Sequence, residues 1–145
     1  QEKKLVLSGL SKMGHPMALD VIRKYLSDPE VEEEARMAAA KVKTAGYKAS
    51  ASVNSNAAGR AFDNNIDTRW DTGSRQQPGQ WFMLDLGWPQ TVNAITLDTT
   101  KSAGDYPRGY EAYVSEDAEN WGDPVAKGEG DGPVTVIDCK GKKGR

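Results

Sequence analysis

The character of the chain changes near residue 45, and this change limits its possible folds more than any other feature. Residues 2–44 contain two glycines and many helix-forming residues, whereas all four tryptophans and most of the glycines and prolines lie after residue 46. A chain of 145 residues is long enough for one domain with a small appendage. The sequence therefore predicts a helical segment over residues 1–45 and a β-rich domain over residues 46–145.

The N-terminal segment has apolar residues at spacings of three and four, which predict three short amphipathic helices. Gly14 and Pro16 separate the first helix from the second. Before the third helix, Asp28 is the predicted N-cap and Pro29 the first helical residue. The residues predicted on the apolar stripes are Leu5, Val6 and Leu10, then Ala18, Ile22 and Tyr25, then Val31, Ala35, Ala38 and Val42.

The C-terminal part contains short strand-like runs separated by turn residues. The predicted strands are 81–86, 93–98, 110–115 and 134–137. Glycine- and proline-containing turns lie between them, including Gly128 to Gly132, which lacks the preceding strand and following helix of a phosphate-binding loop. This spacing is typical of a mainly β fold, an antiparallel sandwich or jelly roll.

Composition makes several functions improbable. The net charge is −2, with both signs interspersed, so the chain lacks the basic patch of a nucleic-acid-binding protein. Its apolar runs are shorter than the roughly 20 residues that cross a bilayer. A single histidine, His15, and a single cysteine, Cys139, provide neither a transition-metal site nor a disulfide framework. A non-catalytic protein is therefore expected.

The helical segment resembles part of a HEAT-type repeat. Asp28, Pro29 and Val31, followed by Ala35 and the Ala38–Ala39 pair, are similar to the second helix of such a repeat, in which small residues let helices pack closely. HEAT repeats stack in series, and this segment holds only about one and a half of them. The resemblance implies either the end of a longer solenoid or a helical lid on the second domain.

Four blocks in the β-rich part resemble the discoidin domain, also called the F5/8 type C or galactose-binding-like domain. They are residues 61–70 (AFDNNIDTRW), 81–87 (WFMLDLG), 106–110 (YPRGY) and 114–121 (VSEDAENW). The resemblance covers about residues 46–138 and implies an antiparallel jelly-roll β-sandwich of eight strands. In this family Trp70, Trp81 and Trp121 are expected to belong to the core rather than to stack on sugars.

A metal site is predicted in the first of these blocks. Asp63, Asn65 and Thr68 place carboxylate, amide and hydroxyl oxygens in one tight loop, which suits a hard cation. The alternative from the residues is an Asx-turn without metal. The resemblance implies a structural calcium held by Ala61, Asp63, Asn65 and Thr68, with Asn64 in the left-handed conformation where the family usually has glycine.

Ligand binding is predicted at loops 71–80 and 99–108, because discoidin-type modules generally bind with loops at one end of the sandwich. Their polar groups suit sugar hydroxyls, although ordinary solvated loops would look the same. The predicted ligand-binding residues are Arg75, Gln76, Lys101, Asp105, Tyr106 and Arg108.

The function that the resemblance implies is a non-catalytic carbohydrate-binding module of a larger extracytoplasmic protein, such as an ancillary domain of a carbohydrate-active enzyme, holding glycans weakly. The alternative is a protein–protein interaction scaffold without glycan selectivity. Since the family usually continues beyond Cys139 with further strands, the sandwich is expected to be truncated. The partners expected are carbohydrate and the rest of a larger chain, or a second chain that completes the sandwich.

Overall fold

The computed structural model describes the backbone of residues 1–145 and every side chain except that of Pro16. The chain divides into two compact units, Gln1–Tyr47 and Lys48–Arg145. The first unit contains the helices and the second contains the strands, in accordance with the change in composition. In the part of the chain that the structure describes, no helix has the length and apolar character needed to cross a bilayer.

The first unit consists of α1 (Glu2–Leu10), α2 (Pro16–Arg23) and α3 (Glu32–Ala45). Its core contains Leu7, Ile22 and Val42, which are almost fully buried. The predicted stripes of α2 and α3 are confirmed, and that of α1 is wrong in part: Leu10 packs against the core, but Leu5 and Val6 are exposed and Leu7 is buried instead. Three apolar residues in a row leave the buried face of α1 undetermined by sequence, and its packing against α2 and α3 decides it.

The caps of α2 and α3 are His15 and Val31, and the second of these differs from expectation. His15 is the N-cap of α2, and its Nδ1 accepts a hydrogen bond from the Met17 amide at 3.2 Å. Asp28 does not cap α3, which begins at Glu32 after Val31. The Asp28 carboxylate instead accepts from the Glu30 amide at 3.1 Å and from Lys3 Nζ at 2.7 Å. Residues 28–31 thus form a separate turn before α3, because the Asp28 carboxylate accepts the hydrogen bond of the Glu30 amide and not of an amide within the helix.

The second unit contains six strands, two fewer than the resemblance implies, and they form three antiparallel pairs. Short 3₁₀ helices occupy Ser55–Ala61 and Thr100–Ser102. The predicted strands are present, although the strands at Lys48–Ala51 and Ala126–Gly128 were not expected. The pairs are β1 (Lys48–Ala51) with β2 (Phe82–Asp85), β3 (Gln90–Asp98) with β6 (Val134–Gly144), and β4 (Tyr110–Ala112) with β5 (Ala126–Gly128).

Strand β6 alternates between the core and the solvent. Thr135, Ile137 and Cys139 are buried, whereas Val134 and Val136 are exposed. Burial raises the pKa of the Cys139 thiol, which is surrounded by the apolar core of this unit. Beyond Cys139 a bulge with left-handed Lys140 and Gly141 interrupts the ladder, and pairing with β3 then resumes as far as Gly144.

The strand register brings three connecting segments to one end of the second unit. Asp98 at the end of β3 pairs with Val134 at the start of β6, and Tyr110 at the start of β4 pairs with Gly128 at the end of β5. Segments 99–109 and 129–133 therefore lie at the same end. Side-chain hydrogen bonds join segment 71–80 to them, as described below.

Candidate functional site

Gln76 ties together the two loops in which ligand binding was predicted. Its Nε2 donates to the backbone oxygen of Tyr106 at 2.9 Å, and its Oε1 accepts from the backbone amide of Arg108 at 3.1 Å. Both ends of one amide thus bond to the backbone of the other loop. We call residues 67–80 and 99–108 together the loop cluster.

Arg108 is held in a defined position within the loop cluster. Its Cζ lies 3.7 Å from the centroid of the Tyr106 ring, a cation–π contact. Its Nη2 also donates to the backbone oxygen of Gly104 at 2.9 Å. Two contacts therefore fix the guanidinium plane, while the residue remains exposed to solvent.

Arg69 connects the segment 67–80, which precedes β2, to the 99–108 loop. It was not among the predicted ligand-binding residues. Its Nε donates to Asp71 Oδ2 at 2.9 Å, and its Nη1 lies 3.5 Å from Asp105 Oδ2 and donates to the Ser102 hydroxyl. The Arg69 guanidinium, together with the Gly73 amide, lowers the pKa of Asp71. Arg69 lies within the first block of the discoidin resemblance, residues 61–70, and that position was the sequence signal that could have identified it.

Of the predicted ligand-binding residues, the structure brings Gln76, Tyr106 and Arg108 into direct contact. Asp105 pairs with Arg69, and Lys101 Nζ lies 3.5 Å from Asp67 Oδ1. Arg75 is exposed and makes no hydrogen bond or ion pair with any described residue. The other five predicted residues therefore make contacts within the loop cluster, and Arg75 is the one that forms neither a hydrogen bond nor an ion pair with the described residues.

Gly130 packs closely against the backbone of the 99–108 loop. Its amide donates to the backbone oxygen of Pro107 at 2.9 Å. A Cβ at this position would lie 2.6 Å from that same oxygen and 2.7 Å from Thr135 Oγ1. The Gly128–Gly132 turn was predicted as a plain turn; its close approach to Pro107 shows why position 130 needs glycine.

The predicted metal loop contains the hydrogen bonds of an Asx-turn. Asp63 Oδ1 accepts from the Asn65 amide at 2.9 Å, and Asp63 Oδ2 accepts from Thr68 Oγ1 at 2.6 Å. These bonds, with the Thr68 hydroxyl contributing most, lower the pKa of Asp63. Asn64 has φ = 60°, as expected for the position where the family usually has glycine.

The donor set of this loop fits a hard cation. Asp63 and Thr68 already place two oxygens side by side, and Asn65 supplies another through its side chain, which here accepts from the Asp67 amide at 3.1 Å. Ala61, at the end of the first 3₁₀ helix, can offer only its backbone oxygen. A bound cation would require the Thr68 hydroxyl to turn its proton away from Asp63.

The tryptophans occupy different environments. Trp70 is half-buried, packs on Phe82 with ring centroids 4.9 Å apart, and donates from Nε1 to the Val53 oxygen at 3.1 Å. The core assignment is wrong for the other two, because Trp81 is 51% exposed and Trp121 is 38% exposed. Trp81 directly follows loop 71–80, so it is an exposed aromatic residue beside the loop cluster.

Comparison with known proteins identifies a family and several relatives. The sequence model of the F5/8 type C domain matches residues 46–145. A galactose oxidase from Gibberella zeae is 30% identical over 79 residues, which cover 50% of this chain and 12% of the relative. A probable allantoicase from Pseudomonas aeruginosa is 40% identical over 50 residues, 34% of this chain and 14% of the relative. The chain thus matches only a small part of these curated relatives.

Solved structures share the fold of the second unit. Chitosan-binding module 1 of a chitosanase/glucanase from Paenibacillus sp. IK-5 is 31% identical with a TM-score of 0.55, over 66% of this chain and 74% of that one. The module CpGH89CBM32-5 from Clostridium perfringens, solved with GalNAc-β-1,3-galactose, has a TM-score of 0.57 over 70% and 81% of the two chains, at 21% identity. These similarities confirm the predicted galactose-binding-like β-sandwich.

Proposed function

The chain belongs to the F5/8 type C domain family, and from that premise we propose that residues 46–145 form a non-catalytic carbohydrate-binding module that holds its ligand through the loop cluster. The chitosan-binding module of Paenibacillus, similar in both sequence and fold, supports this function.

The tie between the two loops is the observation that carries this proposal. Gln76 fixes the backbone of Tyr106 and Arg108, so the polar groups of both loops keep a constant spacing without a ligand. Preorganised groups lose less conformational entropy when a ligand binds. Guanidinium donors and carboxylate acceptors in fixed positions suit the paired hydroxyls of a sugar ring. A few exposed contacts of this kind give weak binding.

Titration calorimetry with a panel of saccharides tests the proposal. The panel consists of galactose, N-acetylgalactosamine, chitotriose and trigalacturonate. We expect saturable binding of at least one of them and a loss of affinity in the double variant Arg75→Ala/Tyr106→Ala. The matched control is Arg36→Ala, which removes an exposed side chain from helix α3, outside the loop cluster. If no saccharide binds to the folded protein at millimolar concentration, the proposal is wrong.

The setting we propose is a larger extracytoplasmic protein, with this module ancillary to a carbohydrate-active enzyme. The galactose oxidase that this chain resembles is several times longer than the matched segment, which supports a modular arrangement. In such an arrangement the module supplies attachment to the polysaccharide and the remainder of the protein supplies any chemistry.

We also propose a structural calcium at Ala61, Asp63, Asn65 and Thr68. The support is the chemistry of the donor set: one carboxylate, one amide, one hydroxyl and one backbone carbonyl, all oxygen donors from a segment of eight residues. A cation there would hold the loop that precedes Arg69 and Asp71, and so would stabilise one side of the loop cluster.

Protein interaction by the helical unit is a second candidate function, with the helices serving as a partial HEAT-like repeat. It is favoured by several large apolar side chains that are exposed in this unit: Leu5, Met13, Met17 and Met37. Light scattering of the full chain and of Met17→Gln/Met37→Gln tests it. Self-association that disappears in the variant would support an interaction surface, and monomers in both would exclude association between copies.

A further inference from the structure

The loop cluster has a charge opposite to that of the whole chain. It contains four cationic side chains, Arg69, Arg75, Lys101 and Arg108, against three carboxylates, Asp67, Asp71 and Asp105. The chain as a whole carries a net charge of −2. The region where a ligand is proposed to bind thus carries a net charge of +1.

Only two of the four cations of the loop cluster form ion pairs within it. Arg69 pairs with both Asp71 and Asp105, at 2.9 and 3.5 Å, and Lys101 pairs with Asp67 at 3.5 Å. Every carboxylate of the loop cluster therefore has a cationic partner. Arg75 and Arg108, by contrast, form no ion pair with any residue that the structure describes.

Arg108 is the better positioned of the two free cations. Its guanidinium is fixed against the Tyr106 ring and bonded through Nη2 to Gly104, and its backbone amide is held by Gln76. Its Nε and Nη1 have no partner among the described residues. Nη2 keeps a second N–H, and the edge that this N–H forms with its neighbour, Nε or Nη1, can bind a carboxylate or sulfate in bidentate geometry.

Arg75 directly precedes Gln76, the residue that joins the two loops. It therefore adds a second unpaired cation to the same region. Two unpaired guanidinium groups repel the ammonium groups of a cationic glycan such as chitosan, and they attract an anionic one.

Given the proposed carbohydrate-binding function, we propose that the loop cluster selects acidic glycans, in which a carboxylate or sulfate on the sugar ring binds Arg108 with support from Arg75. The selectivity differs from that of the chitosan-binding relative. It follows from the pairing of the charges. Arg69 and Lys101 are the cations paired with the three carboxylates, whose combined charge exceeds theirs by one, and Arg75 and Arg108 add two unpaired positive charges.

Calorimetry with a matched pair of ligands tests this selectivity. Trigalacturonate and its fully methyl-esterified form have the same ring geometry and differ in charge. We expect the acid to bind about tenfold more tightly than the ester, as a charge-assisted hydrogen bond provides. The ratio should fall as salt is raised from 50 to 500 mM, since exposed charges are screened. A parallel comparison of galactose 6-sulfate with galactose distinguishes a sulfate from a carboxylate as the bound group.

Three variants assign the effect to residues. Arg108→Gln should reduce the ratio of the two affinities to below about threefold, and Arg75→Gln should reduce it less. Arg75→Gln also guards against misfolding of the first variant, because the Arg75 side chain is exposed and forms no hydrogen bond or ion pair with the described residues. Arg36→Gln, on helix α3 of the other unit, removes the same charge and should leave the ratio unchanged.

The outcomes separate this proposal from the one on which it rests. If the ester binds as tightly as the acid, or if chitotriose binds more tightly than both, selectivity for acidic glycans is disproved while carbohydrate binding stands. A persistent tenfold ratio in both the Arg108→Gln and the Arg75→Gln variants also disproves the assignment. Binding of none of the saccharides, sulfated ones included, overturns both proposals.

Discussion

The side-chain amide of Gln76 bonds to the backbone of Tyr106 over a sequence separation of 30 residues, with 2.9 Å between Nε2 and the carbonyl oxygen. The same amide accepts from the Arg108 backbone at 3.1 Å. One side chain therefore joins the two loops by a pair of hydrogen bonds to the backbone, as backbone groups join two strands.

Replacing Gln76 with alanine should loosen the loop cluster and weaken binding. Two neutral hydrogen bonds contribute roughly 1–3 kcal/mol together, so we expect the melting temperature to fall by several degrees. Binding must then reorder the loosened loops, which lowers saccharide affinity by up to about 150-fold. Hydrogen exchange at the Arg108 amide provides a direct check, since that amide loses its acceptor. Gln77→Ala is the control, and unchanged exchange at Arg108 in the Gln76 variant would contradict the role assigned to this residue.

Gly130 should not tolerate a side chain. A Cβ there would lie 2.6 Å from the Pro107 oxygen, which is backbone and cannot rotate away. We expect Gly130→Ala to reduce the free energy of unfolding by about 1–3 kcal/mol, measured by urea denaturation.

Gly132→Ala is a matched control two residues away, because a Cβ at Gly132 meets no described atom within 4 Å. It should change the free energy of unfolding by no more than about 0.5 kcal/mol. Equal losses in the two variants would show that the turn, rather than the contact with Pro107, is sensitive.

Trp81 should contribute to saccharide binding more than Trp121 does. Both are exposed, but Trp81 follows loop 71–80, whereas Trp121 lies in the segment after β4, which begins at the opposite end of that strand from loop 99–108. We expect Trp81→Ala to lower saccharide affinity by at least about threefold, roughly 0.7 kcal/mol. Trp121→Ala should leave it nearly unchanged, and similar losses in both would place the ligand elsewhere.

The turn that follows β4 should make stability depend on pH. The Asp117 carboxylate accepts from the Asn120 amide at 2.8 Å and from Asn120 Nδ2 at 2.7 Å, with further bonds from Glu119 and Ser115. These donors hold the pKa of Asp117 well below the ordinary aspartate value of 3.8. A lowered pKa in the folded state stabilises the protein above pH 3.8, and this contribution is lost as the pH falls further.

Thermal melts at pH 7, 5 and 3 check this dependence. Asp117→Asn should melt at a lower temperature than the unaltered protein at pH 7, and the gap should narrow by pH 3. Asp131→Asn is the control, because the Asp131 carboxylate accepts no hydrogen bond from the described residues. A gap that stays constant with pH would mean that the ionised form of Asp117 is not what stabilises the turn.

Calcium should raise the melting temperature, and chelation should lower it. A ligand at one hundred times its dissociation constant stabilises the folded state by about 2.7 kcal/mol. Asp63→Asn and Thr68→Ala should remove the response, whereas Asp123→Asn, away from this loop, should retain it. No response to calcium or to chelator in the unaltered protein would leave the loop as a metal-free Asx-turn.

Local sequence preferences predicted much of the second unit. Ile95 and Leu97 lie on the same face of β3, as their alternation indicates, and Asn64 adopts the left-handed conformation that asparagine tolerates. The buried faces of α2 and α3 were also predicted correctly, whereas that of α1 was predicted only in part. In α1, three consecutive apolar residues fit several stripes, and only contact with the other helices selects Leu7.

Most of the strands and turns, and the polar residues of the loops, follow from neighbouring residues along the chain, although β1 and β5 do not. The pairing of those loop residues depends on the tertiary fold. Arg69 meets Asp105, and Gln76 meets Tyr106, because the strand register brings together loops some 30 residues apart. In the same fold every acid of the loop cluster has a cationic partner, whereas Arg75 and Arg108 have no acidic partner among the described residues. The spacing of these residues in the sequence does not indicate which cations are paired.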